Sequence, residues 1–304
     1  MLVAVVSLKG SPGVTTFSVA LAVRWPAPSR RVLVEADPSG GDIATRFSLE
    51  SSPGLLSLAA AARRSTDPGL LWQHAQALPG GLPVVTAPPD ADRARTALQA
   101  LAPNSSSSTG STDILRSTAN APDTVVIADC GRIDHGSAAM GIVREADILV
   151  LLTRARADDL AHLARRLPTV GRWTPRPVLL LVGEGYSTAE VARELQAPPV
   201  GRIPHDERGA AVLCGRPPRA RWGRSGPSRS ALGRFAHKVA TVLAHKPAAP
   251  PNPSIRTGHE ATPVPRAVPG VPNGAGSTNG LPLAPNPLPV RPAHQRDSQG
   301  GAET

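Results

Sequence analysis

Seven short apolar runs recur along the chain, and most lack the polar alternation of a strand with one wet face. They are Val3–Val6, Val32–Glu35, Pro83–Thr86, Val125–Ala128, Ile148–Leu152, Val178–Val182 and Val200–Ile203. A strand that is apolar at successive positions has to be covered on both sides. Segments of helical spacing lie between the runs: Thr15–Val23, Leu55–Arg64, Gly69–Leu78, Ala91–Leu101, Ser137–Glu145, Asp158–Leu167, Thr188–Leu195 and Ser230–Ala244. The alternation predicts an α/β, Rossmann-like fold: a mostly parallel seven- or eight-stranded sheet with helices on both faces.

The first run leads into Lys9-Gly10-Ser11-Pro12-Gly13, and a helical pattern follows directly. Strand, small-residue loop and helix start form the layout of a phosphate-binding loop. Glycine lets the backbone curl until several N–H groups face one hollow, and the helix start adds a positive field. A first-turn threonine offers a hydroxyl to magnesium. The standard pattern G-x-x-x-x-G-K-[ST] is not met, because Val14 stands where the lysine belongs and Leu8 where the first glycine belongs.

Lys9-Gly10-Ser11-Pro12-Gly13-Val14-Thr15-Thr16 resembles the deviant loop K-G-G-x-G-K-[ST]-[ST] of the ParA/MinD-like P-loop ATPases. The early lysine is kept, although the chain has only three lysines against thirty arginines; the late lysine is lost and one glycine is serine. Two further motifs carry the likeness. Glu35-Ala36-Asp37-Pro38-Ser39-Gly40 resembles the family's D-x-D-P-Q-G, with Glu35 in place of the first Asp. Val125-Val126-Ile127-Ala128-Asp129-Cys130-Gly131 resembles its magnesium-binding strand. Weaker likeness extends over residues 2–245.

The resemblance implies ATP and Mg2+ as cofactors and a homodimer as the working form. It implies nucleotide contacts from Gly10, Ser11, Pro12, Gly13, Val14, Thr15 and Thr16, and magnesium held by Thr15 and Asp129. It assigns catalytic roles to Lys9, which in the family reaches across the dimer to the partner's phosphates, and to Asp37, which helps orient the attacking water. Taken alone, Asp-Pro before Gly-Gly also makes a capped turn, and an Asp ending a strand also caps a helix. The base-recognition motifs differ from the family's: Gly183-Glu184 replaces an expected Asn, and Thr153-Arg154-Ala155 replaces T-x-P. A lost charge-assisted bond to phosphate removes roughly 1.5–3 kcal/mol of binding. Its loss at the transition state costs far more, as the 10³–10⁵ contribution of an arginine finger indicates. Weakened binding with slow or absent hydrolysis is the expectation.

The charge is uneven. Residues 201–246 hold ten Lys/Arg against two Asp/Glu, which is most of the net charge of +10. Arg216, Arg219, Arg221, Arg224 and Arg229 surround Trp222 among prolines and glycines. Such cations suit nonspecific DNA or an anionic membrane, or are a solvated surface. Ser230–Ala244 puts Leu232, Phe235, Val239 and Leu243 on one face, to lie on a bilayer or to pack on the sheet. Pro103–Ser111 reads as a flexible serine-rich excursion. Residues 246–304, with 13 of the 34 prolines in Pro247–Thr304 and no aromatic residue there, read as a disordered tail after a nucleotide-binding domain at 1–245.

Cys130 and Cys214 form neither a disulfide framework nor a metal spacing, so a reducing, cytoplasmic setting is expected. The eight histidines show no metal spacing, there is no G-x-S-x-G, and Gly183-Glu184-Gly185 lacks the third glycine of a dinucleotide loop. Two functions follow: an ATP-dependent dimerisation switch that positions DNA or a cellular assembly, or a non-catalytic scaffold that binds protein partners through its basic segment and tail. A metabolic ligase lacks any substrate-site motif.

Overall fold

A computed structural model describes residues 1–10, 12–101, 113–216 and 227–245. Ser11, the excursion at 103–111, Arg219, Arg221, Arg224 and the tail at 246–304 lie outside the described residues. The described residues form one compact unit.

The strands are β1 (Leu2–Ser7), β2 (Arg30–Glu35), β3 (Gln76–Ala77), β4 (Pro83–Val85), β5 (Thr124–Arg132), β6 (Ile148–Arg154), β7 (Pro177–Val182) and β8 (Gly201–Ile203). The helices are α1 (Val14–Val23), α2 (Ile43–Phe47), α3 (Leu55–Ala62), α4 (Leu70–Gln73), α5 (Ala91–Leu101), α6 (Asp113–Asn120), α7 (Met140–Glu145), α8 (Ala157–Val170), α9 (Thr188–Leu195), α10 (Glu207–Leu213) and α11 (Ala231–Ala244). The strands form one sheet in the order β3-β4-β2-β5-β1-β6-β7-β8, parallel except for the edge strand β3.

Side chains alternate across a strand, so each central strand feeds two apolar layers. In β1, Leu2, Ala4 and Val6 join the layer containing α3, α5, α7 and α8, whereas Val3 and Val5 join the layer containing α1, α10 and α11. In β6, Leu149 and Leu151 face the first layer, and Ile148, Val150 and Leu152 face the second. Each central strand is thus covered twice, which is why its sequence is apolar throughout.

The expected helix at Gly69–Leu78 is a correction. Only Leu70–Gln73 is helical, and Gln76 and Ala77 pair with Val84 and Pro83 as the antiparallel strand β3. Pro79-Gly80-Gly81 turns the chain, with Gly80 at φ 94° and Gly81 at φ 82°. Those two positive φ values close a hairpin, and its ladder displaces the last helical turns. Helix α7 begins at Met140 rather than Ser137. Helices α2, α6 and α10 carry too few periodic residues to show in the sequence.

The apolar face of α11 is covered. Leu232, Ala236, Val239 and Leu243 are buried in the second layer, and Phe235 tilts against Phe17 of α1 at 6.3 Å. This face packs on the domain and is not open to a bilayer. Among the described residues no helix is long and apolar enough to cross a membrane.

Candidate phosphate and magnesium site

The carboxyl ends of β1, β2 and β5 lie side by side and carry the three motifs. Val5 is level with Asp129, and Glu35 is level with Asp129 on the other side. Chain crossovers at these strand ends open the crevice in which parallel α/β sheets bind ligands.

The loop after β1 turns through Gly10 at φ 67° and Gly13 at φ 90°. The Ser7 hydroxyl donates to the Gly10 carbonyl at 3.2 Å. Helix α1 starts at Val14 with no side-chain cap on its first turn. Its first amides are therefore left for an anion, as a phosphate cradle requires. The Val14 side chain packs in the α1 layer. Lys9 forms an ion pair with Asp158, in the first turn of α8, at 3.1 Å. Thr16 Oγ1 lies 3.4 Å from Cys214 Sγ, and Arg46 donates to the same sulfur at 3.8 Å while pairing with Asp42 at 2.7 Å. The segment after α10 is thereby tied to the loop helix and to the acidic segment.

The three carboxylates differ in their surroundings. Glu35 is buried with both oxygens occupied: Oε1 accepts from the Asp42 and Ile43 amides at 2.7 and 3.0 Å, and Oε2 from the Ala87 amide at 2.9 Å. Burial nevertheless raises its pKa above the ordinary value, against the pull of those amides. It pins α2 and the end of β4 to the sheet. Asp37 accepts from the Ser39 amide at 2.8 Å and abuts Gly131, where an added Cβ would fall 2.0 Å from Asp37 Oδ2. Burial lifts the Asp37 pKa, and the hydrogen bonds from Ser39, with Arg132 behind them, oppose the shift.

Asp129 is fully buried, accepts from the Gly131 amide at 3.2 Å through Oδ1, and leaves Oδ2 without a partner among the described residues. Burial pushes its carboxyl up to about 7, Glu35 and Asp37 push the same way, and the Thr15 hydroxyl and Gly131 amide pull it down. Thr15 and Asp129, assigned to magnesium from the sequence, thus face one another.

These residues fit a magnesium-bound phosphate. An unpartnered buried carboxylate oxygen, an adjacent hydroxyl and an uncapped helix start supply its contacts. Among the described residues no group of three or more His, Cys, Asp or Glu could hold a metal. Mg2+ takes one or two protein oxygens and completes its shell with phosphate and water, so Thr15 and Asp129 are the residues that would hold it.

Other loops have structural duties. The Gly183-Glu184-Gly185 turn is closed by Arg202, which donates to the Gly183 and Tyr186 carbonyls. Asp206 accepts from Gly209 and Leu232 amides at 2.8 and 2.9 Å, tying α10 to α11. A cavity of about 640 Å3 between Val19, Val23, Arg31, Phe47, Leu78 and Leu213 lies at the amino-terminal ends of β2 and β4, away from the loop. Sequence reasoning noted Arg154 only as a departure; the structure brings it to the loop, with Nη1 3.6 Å from a Cβ built on Gly10. Its period along β6 was the available signal.

No protein-family model and no curated protein matches the chain. Solved structures do. A ParA family ATPase from Chlorobium tepidum superposes with a TM-score of 0.60 at 17% identity, over 79% of this chain and 98% of its own. The septum site-determining protein MinD from Pyrococcus horikoshii, solved with Mg-ADP, gives 0.54 at 16% identity, over 80% and 97%. A Cyanothece McdA variant in complex with ATP gives 0.55 at 17% identity, over 79% and 96%. At these identities the likeness is one of fold.

Proposed function

We propose that this chain, which has the fold of the ParA and MinD ATPases, binds a magnesium nucleoside triphosphate in the loop at residues 9–16 and acts as a dimerisation switch in positioning DNA or a cellular assembly, with weak or no hydrolysis. The observation that carries the reading is Asp129, a buried carboxylate beside Thr15 with one oxygen unpartnered among the described residues. Burying a carboxylate with one oxygen left unpartnered is costly, so its retention beside an uncapped helix start argues for a ligand.

The residues divide the work. Gly10–Thr16 would hold the phosphates through backbone amides and the threonine hydroxyls. Thr15 and Asp129 would hold magnesium, which supplies charge neutralisation when bound. Asp37, beside Gly131, is placed to orient water near the terminal phosphate. Lys9 would cross to a second copy. Its present pair with Asp158 is exposed, and such pairs contribute only about 0–1 kcal/mol, so exchanging Asp158 for a partner's phosphate costs little. Arg216–Arg234 would meet the anionic surface being organised.

The test is a calorimetric titration of MgATP with parallel light scattering. Wild type is expected to bind and to double in mass; Lys9→Ala is expected to bind but stay monomeric. Val14→Lys is expected to tighten binding by about tenfold or more. No binding by wild type at millimolar nucleotide sinks the reading. One observation favours the scaffold instead: Val14 packs in the core layer, so the position of the second lysine offers no cation to phosphate.

A further inference from the structure

We propose that the Arg154 guanidinium supplies the phosphate-neutralising charge missing at position 14, gripping the polyphosphate of the nucleoside triphosphate from the neighbouring strand. The proposal rests on the reading that the loop binds such a nucleotide.

Three observations place the charge there. First, Ser7 is level with Leu152 across the parallel pair β1–β6, so Arg154 stands level with the loop that leaves β1. Second, Ile148, Val150 and Leu152 face the layer that contains Val14 and Phe17. Arg154, next in that period and still within β6, emerges on the same side, where α1 begins. Third, its guanidinium lies along the loop itself, with Nη1 and Cζ 3.6 and 3.9 Å from the Cβ position of Gly10. These are ordinary van der Waals distances, so the guanidinium lies directly alongside the loop backbone at Gly10.

The charge is also uncommitted among the described residues. Among the described residues, the Arg154 side chain has no ion pair or hydrogen bond, whereas Lys9, one residue from Gly10, is engaged by Asp158. A partly buried arginine without a carboxylate beside an uncapped helix start concentrates positive charge where a polyphosphate would lie. A planar fork of donors suits phosphate oxygens, and it reaches from a strand end what a lysine reaches from the helix start.

The experiment compares full-length wild type, Arg154→Ala, Arg154→Gln, Arg154→Lys and Arg154→Ala/Val14→Lys. MgATP, MgADP and magnesium tripolyphosphate are titrated calorimetrically at fixed ionic strength, and ligand-free melting temperatures verify folding. Removing the charge with Ala or Gln is expected to weaken MgATP and tripolyphosphate about ten- to hundredfold, and MgADP less. Arg154→Lys is expected to keep much of the affinity, and the double variant to regain it. Gln retains the stem length, so it reports on charge even where Ala disturbs packing. Wild-type binding with an unchanged dissociation constant in both Ala and Gln overturns this proposal alone. A wild type that binds none of the three ligands at millimolar concentration overturns the nucleotide reading with it.

Discussion

Asp129 is the residue on which the site turns. Its carboxyl titrates near 7 in the folded chain because burial and two neighbouring carboxylates oppose ionisation. In the unfolded chain an aspartate titrates near 3.9. The folded pKa is therefore raised. The stabilisation associated with holding this proton is complete below about pH 4 and is lost as pH rises through 7. Asp129→Asn is expected to stabilise the ligand-free protein by up to about 4 kcal/mol above pH 7, with the advantage shrinking toward pH 4. Denaturant melts at pH 5 and 8 check this; a gain independent of pH contradicts it. The same variant is expected to lose the stabilisation that MgATP confers on wild type. At this scale the candidates Lys9, Thr15, Asp37 and Asp129 could be named from the sequence because the proposed phosphate chemistry would constrain their types and spacing, and folding brings Thr15 and Asp129 together. The occupied state of Glu35 was not legible. Its three amide donors come from Asp42, Ile43 and Ala87, and only folding collects them.

At the scale of elements, α11 shows how one amphipathic pattern admits two readings until a neighbour is known. Its apolar face covers α1, with Arg24 Nε donating to the Gly233 carbonyl at 3.4 Å beside it. Leu243→Ala is expected to cost about 2–5 kcal/mol, as buried large-to-small changes do, whereas Lys238→Ala on the exposed side should change stability by less than about 0.5 kcal/mol. Equal, small effects in urea melts would show that the helix is not docked. The central strands were readable because apolar runs without alternation have one explanation. The β3–β4 hairpin was not: the apolar spacing of Leu71, Ala75 and Leu78 suits a helix, and the ladder from Gln76 to Val84 prevails only once β4 is in place.

At the scale of the molecule, the proposal that the protein meets an anionic surface is tested at the basic stretch. Arg216 and Arg229, the described members of its arginine set, are both exposed. If they contact phosphates of duplex DNA, binding falls steeply with salt, and each of Arg216→Ala and Arg229→Ala should reduce the log–log salt slope by about 1. Gel retardation between 50 and 300 mM salt, with sedimentation of anionic vesicles in parallel, checks this. Absence of both at low salt would make the stretch a solvated surface.

Most of the succession of strands and helices, the two-sided core and the place of the glycine loop after β1 were determined by the sequence alone. They follow from local periodicity and from glycines and threonines a few residues apart. The tertiary structure alone decided which charges face that loop. Lys9, the first residue of that loop, turns to Asp158 on α8, while Arg154, more than a hundred residues away, comes to lie against Gly10. Charge placement depends on strand register and on which face of the sheet a side chain leaves, and both arise only when separate segments pack together.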